Sequence, residues 1–289
     1  MTKTPGIFFA LIAAVLFGAS APFAKALLGG SSPQAMAGML YLGSGIGLAI
    51  VRAFRLPVLR SEARLKRKDL PWLAGTVFFG GGLAPLLLMT GLQRTPASTG
   101  SLLLNLEAVF TAVIAWLIFR EKFSARVALG MAAVVAGGML LSWQGRADWT
   151  GISGPLLIAG ACMSWGADNN LTEKISDSDP LQITMIKGLA AGSVNAVIAL
   201  LLGAQLPGFE RILLAGLLGF LGYGVSLVCF VFALRAIGTT RTIAVFSVAP
   251  FIGTIVGIAV FNEPVTRSLL LSGALMAVGV WITTTARKA

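Results

Sequence analysis

The chain divides into ten apolar runs of about 20 residues, each bounded by polar turn chemistry. A helix rising about 1.5 Å per residue crosses the roughly 30 Å hydrocarbon layer of a bilayer in that length. The runs are roughly Gly6–Leu28, Gln34–Phe54, Leu70–Leu92, Ala97–Phe119, Ala125–Trp143, Ile152–Glu173, Leu181–Gly203, Arg211–Leu234, Thr240–Phe261 and Arg267–Thr285. Turns such as Gly29-Gly30-Ser31-Ser32-Pro33, Arg94-Thr95-Pro96 and Asn262-Glu263-Pro264 separate them. Of the residues, 56% are hydrophobic and 11% charged, and the mean hydropathy is +0.88. A water-soluble fold of this size cannot cover that much apolar surface. Hydrocarbon offers the backbone no partners, so the expected fold class is an all-α membrane protein with ten transmembrane helices.

A second regularity is an internal repeat. Residues 70–141 align without a gap on 212–283 at a constant offset of 142. Phe78, Gly80, Gly82, Leu92, Phe119, Glu121, Leu129, Ala132 and Gly137 meet identical residues. In both copies an apolar run ends in Phe-x-Glu, and a polar break and a second apolar run follow. Near the start, Phe17-Gly18-Ala19 reappears as Trp165-Gly166-Ala167 at offset 148. The chain therefore reads as two five-helix units, residues 1–148 and 149–289. Five is odd, so the second unit enters the membrane from the opposite side, and the repeats are inverted. Such repeats enclose a central cavity and open it to either face, which is alternating access. Lys3, an apolar run and Ala19-Ser20-Ala21 also resemble a secretory signal. The length of that run and its echo at Trp165 favour a retained first span.

Orientation follows from the basic residues. With the N-terminus in the cytoplasm, the inner loops hold 16 Lys and Arg and the outer loops 5, with Lys187 inside a span. That asymmetry predicts cytoplasmic N- and C-termini and explains the net charge of +11 without nucleic acid. The chain has no histidine, and its two cysteines, Cys162 and Cys229, lie in apolar runs, so neither a metal site nor a disulfide is expected. Without histidine there is no Ser-His chemistry, and a single clear intramembrane aspartate does not make an aspartyl protease. No Walker motif appears, so no ATP hydrolysis, catalytic residue or cofactor is expected.

Phe119-Arg120-Glu121-Lys122 through Gly130 and Gly137, and Phe261-Asn262-Glu263-Pro264 through Gly273 and Gly279, resemble the EamA domains of the drug/metabolite transporter superfamily. The aromatic-Gly pairs Phe17-Gly18 and Trp165-Gly166 match that family too. Within it the chain is most similar to the YddG-type amino-acid exporters of bacterial inner membranes. That resemblance implies a ten-helix basket and export of aromatic and other neutral amino acids without ATP. The chain departs from the family at Ala108, where the second copy has Pro250, and at Asp168-Asn169-Asn170 after the Trp-Gly pair.

Candidate site residues come from charge and aromaticity at membrane depth. Glu107, Asp168 and Lys187 lie inside spans, where each costs about 2.5–3.5 kcal/mol to insert. Asp168 and Lys187 fall at similar depth on consecutive helices, so a buried ion pair is expected; the alternative is a gate. Glu121 and Glu263 end helices at opposite membrane faces as caps or gates. Trp165, with Asn169 one turn on, is the leading substrate contact. Phe79, Tyr223, Phe246 and Ser247, and the small polar stripe of Ser101 and Asn105, complete the expected cavity wall. The expected partners are a small metabolite or amino acid and the lipid bilayer, with a monomer sufficient. The competing reading is proton-coupled antiport of organic cations through Glu107 or Asp168.

Overall fold

The computed structural model describes residues 3–54, 63–120, 124–143, 149–237, 242 and 245–285. Among these every regular element is helical. We label the helical runs α1 (Lys3–Leu27), α2 (Pro33–Ala53), α3 (Arg67–Gln93), α4 (Ala97–Leu117), α5 (Ala125–Ser142), α6 (Trp149–Glu173), α7 (Pro180–Leu201), α8 (Phe209–Ala233), α9 (Ala249–Phe261) and α10 (Arg267–Thr285). Eight are long and apolar enough to cross a membrane. The two that fall short of the sequence expectation do so for different reasons. α6 has 25 residues but carries Asp168, Asn169, Asn170 and Glu173 toward its C-terminal end. α9 has 13 described residues, with Pro250 in its first turn.

Local chemistry sets the helix starts. Ser32 and Asp179 stand just before α2 and α7, and their side chains accept from Ala35 N at 3.1 Å and Leu181 N at 2.9 Å. A proline follows each of them, pre-set for the first helical turn. The Ser124 side chain likewise accepts from Val127 N at 3.4 Å at the start of α5. Three helices depart from regular α geometry. α3 widens into a π turn over Val77–Leu83 and α8 into one over Phe220–Val225, and the two fall at the same place under the offset of 142. α4 breaks at Leu104 and Asn105, where the Asn105 amide donates to the Leu102 carbonyl at 2.9 Å and competes with the helix ladder.

Glycines let the helices meet backbone to backbone. A Cβ on Gly45 of α2 would lie 2.5 Å from Leu189 N of α7, and one on Gly192 of α7 would lie 2.9 Å from Tyr41 C of α2. α5 and α10 cross with Gly130 against Gly279 and Gly137 against Ser272. Gly253 and Gly257 of α9 sit on Ser101 and on the Ala97–Ser98 backbone of α4. In lipid no hydrophobic force drives helices together, so such close approach and its van der Waals contact hold the bundle. The outward faces carry bulky apolar side chains, among them Leu201, Phe209 and Met139. Cys162 and Cys229 are both free thiols.

Candidate functional site

The π turn of α3 sets the centre of the molecule. A π turn disturbs the regular ladder of main-chain bonds, and at membrane depth protein groups must satisfy its carbonyls. Three neighbouring helices do so. The Tyr41 hydroxyl of α2 donates to Gly80 O at 2.6 Å, and the Trp165 indole Nε1 of α6 donates to the same oxygen at 3.1 Å. The Asn195 amide of α7 donates to Gly81 O at 3.2 Å and Gly82 O at 3.4 Å, and its oxygen accepts from Gln34 at 2.7 Å.

Gly80 also has no side chain to keep charge away. A Cβ there would overlap the Asp168 carboxylate and lie 2.5 Å from Lys187 Nζ. Asp168 and Lys187 form an ion pair across α6 and α7, both buried, and Thr172 donates to the second Asp168 oxygen at 3.2 Å. A buried pair of this kind offsets the desolvation of each partner, and removing one partner strands the other.

Beside this centre lies an aromatic cluster. Phe17 of α1 has ring centroids 6.1 Å from Trp165, 6.0 Å from Tyr223 and 5.5 Å from Phe246. Tyr41 and Tyr223 are 5.5 Å apart, and Phe230 and Phe246 4.8 Å. These rings come from α1, α2, α6, α8 and the segment before α9. A polar cluster lies between α4 and α6. Asn169 donates to Glu107 Oε1 at 2.9 Å and to Thr111 Oγ1 at 3.2 Å. Asn170 donates to Thr111 O at 3.0 Å and Gly166 O at 2.8 Å. Asn169 is exposed and Glu107 half-buried at this contact.

The site residues expected from sequence do not gather in one place. Trp165, Tyr223 and Phe246 share the aromatic cluster, with Ser247 half-buried beside it. Asn169 and Glu107 share the polar cluster. Phe79 meets the exposed Phe78 edge-on, with ring centroids 5.0 Å apart. Ser101 and Asn105 are buried at other contacts: Ser101 meets Gly253 of α9, and the Asn105 amide lies 3.9 Å from Met276 Sδ of α10.

Glu263 follows α9 and caps α4, accepting from Ala97 N at 2.6 Å, from Ser98 N at 2.9 Å and from the Ser98 hydroxyl. Its carboxylate meets the positive end of the helix dipole. We expect Glu263→Gln to cost about 1–2 kcal/mol of stability through this cap, seen as a lower melting temperature in detergent. Glu121 lies outside the described residues. Tyr41, Thr111, Asn170 and Asn195 were not anticipated. Asn195, a polar residue in the middle of an apolar run, is the one that sequence could have flagged.

Comparison with known proteins places the chain in a family. The EamA-like transporter family matches residues 4–143 and 152–285. An uncharacterized transporter of Methanothermobacter thermautotrophicus is 30% identical over 298 residues, covering 98% of this chain and 87% of its own. The transporter YvbV of Bacillus subtilis is 26% identical, covering 95% of this chain and 90% of its own. A probable 4-amino-4-deoxy-L-arabinose-phosphoundecaprenol flippase subunit, ArnE of Yersinia pseudotuberculosis, is 37% identical over 83 residues, 29% of this chain and 72% of its own. One solved crystal structure shares the fold with a TM-score of 0.72 at 15% identity, covering 98% of this chain and 99% of its own. With its apolar helices and matches over nearly its whole length, the chain belongs to the EamA-like transporter family and is an integral multi-pass membrane protein.

Proposed function

We propose that this protein exports neutral amino acids, aromatic ones included, across the bacterial-type inner membrane by alternating access and without ATP hydrolysis. The observation that carries this reading is the aromatic cluster around Phe17 and Trp165 together with the Glu107–Asn169 pair. Stacked rings favour an apolar or aromatic side chain, and the carboxylate and amide suit the ammonium and carboxylate of a zwitterion.

The proposed architecture is ten spans in two inverted five-helix repeats, residues 1–148 and 149–289, with both termini cytoplasmic. Several contacts support it by coming in exchanged pairs. The offset of 142 turns the Gly130–Gly279 contact into the Ser272–Gly137 contact. An offset of 147, which pairs Pro33 with Pro180, turns Gly45–Gly188 into Gly192–Tyr41. Arg120 and Asn262, also 142 apart, are the non-glycine residues with left-handed backbone among those described, at φ 57° and 50°. Contacts that swap under one rotation are what a two-fold axis in the membrane plane produces.

Uptake into liposomes holding only the purified protein tests the function, using radiolabelled amino acids with and without an imposed pH gradient. The expected result is flux without a gradient that falls about tenfold or more in Trp165→Ala. The half-buried Glu107 carboxylate favours one second reading, proton-coupled antiport of organic cations. Flux that needs the gradient and is lost in Glu107→Gln would establish that reading instead. If no amino acid moves in any condition, the amino-acid assignment falls.

A further inference from the structure

The turn between α1 and α2 stands over a cleft of about 390 Å³ lined by Lys25, Leu28, Gly29, Gly30, Ser31, Leu92 and Gln93. Two cations flank this turn. The Lys25 ammonium gives one of its three donors to the Thr95 carbonyl. Arg211 of α8 donates to the Gly29 carbonyl and packs over Gly30. The Ser31 side chain is 6% exposed, and its hydroxyl has no hydrogen-bond partner. A buried hydroxyl without a partner is costly and uncommon. The cleft lining supplies no carboxylate to take it. Glu263, the acid that acts on Lys25, has both oxygens engaged at the start of α4.

The corresponding turn between α6 and α7 shows what is missing. The offset of 147 carries Ser31 to Ser178, that of 142 carries Arg211 to Asp69, and that of 148 carries Lys25 to Glu173. There the Ser178 hydroxyl faces Asp69 Oδ2 at 3.5 Å. One turn thus holds its own carboxylate for the serine. The other holds two cations and an empty-handed hydroxyl.

We infer that the α1–α2 cleft is an oxyanion subsite. It takes a carboxylate or phosphate group beside the Lys25 ammonium, with Ser31 donating to one of its oxygens and Arg211 adding positive charge from the far side of the turn. Only the statement that this site faces outward rests on the orientation proposed above. There it meets either a soluble anion leaving the transporter or a lipid headgroup of the outer leaflet.

Thermal unfolding of the full chain in an uncharged detergent tests this, with phosphate or acetate titrated against chloride at constant ionic strength. The melting temperature rises with phosphate and acetate and not with chloride. Ser31→Ala weakens the apparent affinity about tenfold, and Arg211→Gln weakens it further. Ser31→Ala removes a group with no partner to lose, so it reads out even if Arg211→Gln fails to fold. Mixing phosphatidylglycerol into the micelles distinguishes the sources. A rise from the lipid with no free anion assigns the site to a headgroup, and a rise from free anions alone assigns it to a soluble ligand. Equal melting temperatures in phosphate, acetate, chloride and phosphatidylglycerol overturn the inference, as does a rise that Ser31→Ala leaves unchanged. No step of this measurement involves transport, so its failure and that of the amino-acid reading are separate results.

Discussion

Lys187→Met lowers the stability of the protein by about 3–5 kcal/mol, because it leaves the Asp168 carboxylate buried without a counter-charge. Asp168 is only 5% exposed, and the α3 backbone at Gly80 packs against it. The double variant Asp168→Asn with Lys187→Met recovers most of that loss, since neither position then carries a charge. Denaturation in detergent measures both. If the single variant is as stable as wild type, the pair is not buried as described. Transport by the double variant then separates two roles. A recovered flux makes the pair a pin between α6 and α7, and a stable but silent protein makes it part of the transport cycle.

Gly219→Ala is the second large effect. A Cβ at Gly219 of α8 would fall inside the Leu40 carbonyl group of α2, with Leu40 C only 2.6 Å away. Both obstacles are backbone, so no side chain can turn aside, and the helices must separate. We expect a loss of about 3 kcal/mol. Gly216→Ala, one turn earlier on the same helix, is the control. Its Cβ meets nothing nearer than Gly43 Cα at 3.9 Å, so the variant melts close to wild type. Equal melting temperatures for the two variants would mean that α2 and α8 do not meet at Gly219.

How much of this was legible in the sequence depends on the range of the interaction. The turns were legible, because a segment such as Gly29-Gly30-Ser31-Ser32-Pro33 acts within a few residues. The Asp168–Lys187 pair was legible because a short loop puts two costly charges at one depth. The π turns were not. Gly80, Gly81 and Gly82 mark a place where the backbone is free, but only Tyr41, Trp165 and Asn195, distant in sequence, decide how that freedom is used. Ser101 precedes the break in α4 and Asn105 stands in it, and their partners are set by the tertiary crossing of α4 with α9 and α10, which no pattern within α4 encodes. Trp165 and Asn169 are one turn apart on α6, yet one bonds to α3 and the other to α4.

The wide turn of α3 has a mechanical consequence. A regular helix owns its hydrogen bonds and can slide or tilt as a separate rod. Between Gly80 and Gly82, α3 has lent its carbonyls to α2, α6 and α7. Those four helices are therefore geared together at one point, and a displacement of any one is transmitted to the other three or breaks a bond inside the membrane.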